Sequence, residues 1–289
     1  MNTSWLNISP HHRWIETVQG PMLGFSGDSG VSETLAQFGQ FSTGEIDLYR
    51  NLLAPGDLVL DVGANIGVIS AFLQRPKQAY EIWAFEPQPA IHQIATINLF
   101  GLAKTRVLPL AVGDQDKMIR IPEINIESRG NFGSIPANMA ASRPYPVQQV
   151  RLDSLFSTKT RVPKLIKIDV EGMEAEVLRG AVGLFHDGLI LSVEADRSQT
   201  VRRWLPTLFS LGFSCYVVLS LHIPQDDPRS VPSDRRSQVC SPHIIAMGPA
   251  AARAYGGHLA RFKISNFEEY VARTFGEDAV RKIGQQISI

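Results

Sequence analysis

The chain is poor in cysteine, has no excess of either charge and contains no long apolar run, and each shortage removes a class of protein. Cys215 and Cys240 are the only cysteines among 289 residues. Two thiols without metal-ligand spacing fit a reduced, cytoplasmic protein rather than a disulfide scaffold. Lys plus Arg and Asp plus Glu both number 28, whereas a chain that neutralises phosphates carries a basic excess or stripe. Arg229, Arg235 and Arg236, the densest basic group, lie in a Pro- and Ser-rich stretch that reads as a solvated loop. Nucleic acid is therefore not expected as a substrate. No apolar run approaches the roughly 20 residues of a membrane span, and residues 1–14 lack the apolar segment of a secretory signal. What is present, 44% hydrophobic and 19% charged residues, is enough to fill a large α/β core.

Residues 1–42 carry Gly20, Pro21, Gly24, Gly27 and Gly30 and read as a loop-rich N-terminal segment packing on the core. A helix follows at 43–53, with Ile46, Tyr49, Leu52 and Leu53 at helical spacing. Leu58, Val59 and Leu60 form a continuous apolar run, as in a strand buried on both faces of a parallel sheet. Further strands are expected at 81–85, 106–111, 165–168, 189–194, 214–219 and 243–247. Helices between them, at 67–74, 89–99, 172–185 and 201–211, predict βαβ units and a doubly wound, mostly parallel seven-stranded sheet. The main domain is expected over 43–250 with a small β insertion at about 115–152, and residues 251–289 read as a C-terminal helical extension.

Ligands of such sheets bind beyond the carboxyl ends of the strands. Asp61-Val62-Gly63-Ala64-Asn65-Ile66-Gly67 ends the first buried strand. This turn has neither the G-x-G-x-x-G spacing of a dinucleotide fingerprint nor the lysine of a phosphate loop. Asp61 would repel a pyrophosphate but suits the ammonium group of S-adenosylmethionine (SAM). Gly63 permits a sharp turn and close ligand approach, and Gly67 permits close packing of the next helix. Nineteen residues after Gly67, Phe85-Glu86-Pro87 ends the second strand; a carboxylate there can accept both ribose hydroxyls. Ala111, at the end of the third, falls near the expected adenine. The cofactor-binding set is thus Asp61, Gly63, Asn65, Gly67, Glu86, Pro87, Ala111 and, at the fourth strand, Asp169.

These stretches, with Ala111-Val112-Gly113-Asp114 and above all the run from Leu165 through Asp169-Val170-Glu171-Gly172-Met173-Glu174 to Ala181, resemble the FkbM family of SAM-dependent methyltransferases. Leu152-Asp153-Ser154-Leu155 and Gly130-Asn131-Phe132-Gly133 resemble its weaker signatures. The likeness covers roughly residues 40–200. It implies a class I, Rossmann-like methyltransferase fold and O-methylation of a hydroxyl on a sugar, glycan or natural product.

An unactivated hydroxyl needs a base or a metal to become a nucleophile. Asp169, Glu171 and Glu194 converge at the ends of the fourth and fifth strands and are the catalytic candidates. By analogy of position with catechol O-methyltransferase-like enzymes, Asp169 and Glu194 could hold Mg²⁺. His222 and His243 are the alternative bases, Lys167 reads as an ion-paired lysine within a buried strand, and Asn131 is a candidate for the acceptor pocket. The acidic rim favours a neutral acceptor. A catalytically silent SAM-binding partner subunit, or methylation of nitrogen or a macromolecule, are the competing readings. The oligomeric state stays open, a homodimer included.

Overall fold

In the computed structural model, residues 9–74, 79–134, 144–156, 161–222 and 240–276 are described. The chain opens on a hairpin of β1 (His12–Thr17) and β2 (Gly20–Phe25), then α1 (Val31–Phe38) and α2 (Thr43–Leu52). The alternation follows: β3 (Leu58–Val62), α3 (Val68–Leu73), β4 (Glu81–Phe85), α4 (Pro89–Asn98), β5 (Thr105–Leu108). A small sheet comprises β6 (Leu110–Val112), β7 (Lys117–Pro122) and β8 (Pro144–Val150), after which comes α5 (Leu152–Leu155). The main sheet resumes with β9 (Leu165–Ile168), α6 (Glu174–Arg179), β10 (Ile190–Glu194), α7 (Ser198–Ser210), β11 (Ser214–Leu221) and β12 (Cys240–Met247). α8 (Pro249–Tyr255), β13 (Lys263–Ile264) and α9 (Phe267–Phe275) close the described chain.

The main sheet runs β13-β11-β12-β10-β9-β3-β4-β5. β5, β4, β3, β9 and β10 are parallel, and β12 is inserted antiparallel between β10 and β11. This is the doubly wound order of the class I methyltransferase fold. The winding reverses between β3 and β9, so the ligand crevice lies over their carboxyl ends. Successive side chains of each strand enter opposite layers. Val59, Ile82, Leu165 and Ile190 pack with α2, α3, α4 and the hairpin. Leu60, Phe85, Ile166 and Leu191 pack with α6, α7 and α9. Burial on both faces is why these strands are apolar throughout.

Several expectations are corrected. The sheet has eight strands rather than seven, the extra one being the two-residue edge strand β13. The segment before residue 43 is a hairpin and a helix, not loop: its glycines serve the hairpin, Gly20 at φ 104 in the turn and Gly24 where Ile15 and Ser32 crowd the backbone. The strand expected over 106–111 divides at Pro109, which has no N–H for the ladder, so β5 stays in the main sheet and β6 joins the small one. The helix expected over 172–185 is α6 followed by a 3-10 turn at Val182–Leu184, because Gly180 lies against the Gly113 carbonyl where a longer helix has no room. Residues 223–239, with Arg229, Arg235 and Arg236, and residues 277–289 of the C-terminal extension fall outside the described residues. Among the described residues no helix is long and apolar enough to cross a membrane.

Candidate active site

A cavity of about 620 Å³ opens at the carboxyl ends of the central strands. Gly63, Asn65, Glu86, Pro87 and Ala111 line one end of it, and Asp169, Glu171 and Glu194 line the other. The turn after β3 is built around backbone proximity. Gly63 has φ 81, and a Cβ there would lie 1.8 Å from the Asp169 carbonyl oxygen. The group that requires glycine is thus the backbone after β9, not a ligand. Gly67 does not reach the cavity; it caps α3 at φ 84 and packs on Leu99. Asn65 and Glu171 hold left-handed backbone, φ 52 and 55, without being glycine, and both face the cavity. Such strain collects at functional sites.

Asp61 departs from its expected role. It is 1% exposed and lies beneath the cavity floor, where its Oδ2 accepts from Ser70 Oγ at 2.6 Å and its Oδ1 lies 3.4 Å from Lys167 Nζ. Lys167, also buried, reaches Asp169 Oδ2 at 3.4 Å and donates to the Gly63 carbonyl at 3.2 Å. One ammonium thereby ties the ends of β3 and β9 together, as the ion-paired reading of Lys167 anticipates. Burial pushes the Asp169 carboxyl up, but neighbouring positive charge, Lys167 foremost, outweighs it and holds Asp169 below the usual carboxylate range. Lys167 is held above its ordinary value, because Asp61, Asp169 and Glu45 outweigh its desolvation.

Glu86 accepts from the backbone N–H groups of Asn65 and Gln88, both at 2.9 Å. Burial nevertheless raises it to about 7. Glu171 is likewise raised to about 7, by burial and then by the neighbouring Asp169 charge, although Arg197 donates to its Oε2. Glu194 is pushed well above the carboxylate range by burial, then by Asp169, Asp196 and Glu171.

Asp169, Glu171 and Glu194 each offer an oxygen within 4.8 Å of the others, a spacing compatible with a hard cation. Two of the three carboxylates are already paired with cations, however: Lys167 sits on Asp169 and Arg197 on Glu171. With those charges matched, the residues do not fit a Mg²⁺ site, and the expected Mg²⁺ finds no support.

The remaining wall comes from the N-terminal segment and the loop after β7. Asp28, 3% exposed, accepts from Gly30 N at 3.0 Å, Ser32 N at 2.8 Å and Phe132 N at 3.3 Å. Asn131 lines the cavity as expected, donating to Ser134 Oγ at 2.8 Å. His222 and His243 both line it, whereas His186 caps a turn elsewhere. Sequence reading missed Asp28, Asp196 and Glu45. Glu45 reads as an ordinary first-turn helix carboxylate, yet it is 7% exposed and four residues before the buried Tyr49. An acid on the apolar stripe of a helix is the signal that could have found it.

The sequence profile of the methyltransferase FkbM domain matches residues 61–215, more than half of the chain. Hexuronic acid methyltransferase AglP of Haloferax volcanii is 30% identical over 149 residues. That match takes in 47% of this chain and 56% of the relative, so the chain spans about half the length of the curated relative it matches. Among solved structures, a SAM-dependent O-methyltransferase from Thermotoga maritima aligns with TM-score 0.46 at 16% identity, covering 82% of this chain and 77% of that one. Fibrillarin from Aeropyrum pernix, solved with natively bound SAM, aligns with TM-score 0.42 at 12% identity over 71% and 74%. The profile match decides the assignment: this chain belongs to the FkbM methyltransferase family.

Proposed function

We propose that this protein transfers the methyl group of SAM to a hydroxyl of a neutral sugar, glycan or natural product. The observation that carries the reading is one cavity that joins the glycine-turn and Glu86 end to the Asp169, Glu171 and Glu194 end. It spans the two strand ends at the reversal of the winding, where a nucleoside and an acceptor meet in this architecture. Glu86 serves the ribose: each carboxylate oxygen accepts one backbone N–H and retains a second lone pair for a hydroxyl. Gly63 and Asn65 shape the bed of the cosubstrate, Pro87 and Ala111 border its base, and Asp61 contributes through Lys167. As bound cosubstrate, SAM supplies an electrophilic methyl on a sulfonium.

Asp169, ionised beside Lys167, is an anion suited to the positively charged methyl donor, and Glu194 lies on the acceptor side of it. Glu171, fixed by Arg197, closes the acceptor side. Incubation with methyl-labelled SAM and a panel of neutral sugars, hexuronic acids and glycans should yield a labelled ether. Label found only on nitrogen or on RNA would refute the hydroxyl acceptor.

A further inference from the structure

Behind the cavity wall lies a chain of buried polar groups that the residues discussed so far do not use. Tyr49 Oη donates to Glu45 Oε1 and lies 2.7 Å from Ser192 Oγ. Ser192 Oγ in turn lies 3.4 Å from His243 Nδ1, and Glu45 Oε2 accepts from Ser220 Oγ at 3.2 Å. Glu45, Tyr49, Ser192 and His243 come from α2, α2, β10 and β12, and each is at least nine-tenths buried.

With Glu45 as a carboxylate, the protons in this chain run in one direction. A carboxylate accepts and cannot donate, and Tyr49 has a single proton, which it gives to Glu45. Ser192 must then give its proton to Tyr49 Oη, which leaves its own oxygen to accept from His243. His243 is therefore protonated at Nδ1, and its other nitrogen, Nε2, carries the lone pair. The ring forms part of the cavity wall, and His243 is paired across the ladder with Glu194.

We propose that His243 is the general base of the transfer, taking the acceptor's proton at Nε2, and that Glu45 positions it through Tyr49 and Ser192. This rests on the O-methyltransferase reading above. The acceptor O–H bond breaks with its proton passing to Nε2. The oxygen's electron pair forms the new O–C bond, and the pair of the broken S–C bond stays on sulfur. The products are the ether, S-adenosylhomocysteine and an imidazolium whose charge faces Glu45 at 3.9 Å; the proton then leaves to water.

The other groups facing the ring are Glu194 and Asp196 at the end of β10, Asp169 and Lys167 at the end of β9, and His222 after β11. None replaces it well. Asp169 is too weak a base when held low by Lys167. His222 has both ring nitrogens engaged, Nδ1 with Ser42 Oγ at 3.1 Å and Nε2 with Ser241 Oγ at 3.0 Å, which leaves neither for the acceptor.

Two measurements test this. In protein labelled with ¹⁵N-histidine, the His243 ring should show the Nδ1–H tautomer, and Tyr49→Phe should disturb it. An Nε2–H tautomer in the wild type overturns the proposal, and this readout needs no turnover. In the methyl-transfer assay, His243→Gly should lose about a hundredfold to ten-thousandfold in kcat, be partly rescued by added imidazole, and still bind S-adenosylhomocysteine. Glu45→Gln should lower kcat while leaving the acceptor KM unchanged. A His243→Gly variant that keeps a large part of wild-type kcat, or a Glu171→Gln variant that alone abolishes turnover, overturns it. If His243→Gly does not fold, the tautomer and Glu45→Gln decide. A wild type that binds SAM but methylates no hydroxyl defeats the parent reading, whereas the tautomer still judges the chain of donors.

Discussion

Replacing Lys167 with methionine separates two views of the cavity floor. If the lysine is the cation that reconciles the two carboxylates, its loss leaves buried Asp61 with only the Ser70 hydroxyl and deprives Asp169, at the cavity surface, of its ammonium. Removing one member of a buried ion pair costs about 3–5 kcal/mol. At about 2–4 °C per kcal/mol for a chain of this size, the melting temperature should fall by roughly 10 °C near neutral pH. The pH dependence supplies the sharper test. Without Lys167, Asp169 loses the charge that holds it low and burial then raises it, so its ionisation opposes folding. The deficit should be full at about pH 7 and shrink as pH falls toward about 4, where unfolded carboxylates also hold protons. Adding Asp61→Asn should recover part of the loss, since the two residues are in contact. Thermal melts of the single and double variants across pH provide the assay. A fall under about 2 °C, or a deficit that grows in acid, would refute the reasoning.

Gly63→Ala combines a left-handed φ with a Cβ 1.8 Å from the Asp169 carbonyl, so it should lose several kcal/mol, whereas Gly212→Ala, with φ 81 but open space around it, should lose only about 1 kcal/mol; denaturant melts compare them. Glu86 titrates near 7, so calorimetry should find S-adenosylhomocysteine binding more weakly as pH falls from about 8 to 6, and Glu86→Gln should be weak and nearly flat over that range. The same raised carboxyl opposes folding as pH rises: ionised Glu86 costs about 3 kcal/mol, so Glu86→Gln should lose less stability at about pH 8 than at pH 5. Because Lys167 and Arg197 already match Asp169 and Glu171, EDTA should leave turnover unchanged; a loss restored by Mg²⁺ would reinstate Asp169 and Glu194 as metal ligands.

The central strands were legible because burial on both faces leaves an unbroken apolar run, as in Leu58-Val59-Leu60 and Leu165-Ile166. Their carboxyl ends then point to Glu86, Asp169 and Glu194 by position alone. The hairpin was illegible because its strands are six residues each and β2 carries Gly20, Pro21 and Gly24, which hides a period of two. Asp61 shows the limit of reading by position: a strand-end acid sits under the floor because the adjacent strand β9 brings Lys167 alongside it in register. His243 was hard to weigh for a topological reason. β12 runs antiparallel to its neighbours, so its beginning, not its end, lies at the carboxyl edge of the sheet. The link from Glu45 to His243 joins residues far apart in the chain, and no local spacing encodes it.

Asp28 has a consequence for acceptor recognition. Its carboxylate binds the turn before α1 and the loop at Phe132 into one piece, and the rings of Phe25 and Phe132 meet edge-on at 5.4 Å. Two segments over a hundred residues apart are thereby frozen before any acceptor arrives. The ordering cost that a floppy rim would charge to each binding event is met once, during folding. On the proposed function, acceptor affinity should therefore depend partly on a residue that need never touch the acceptor.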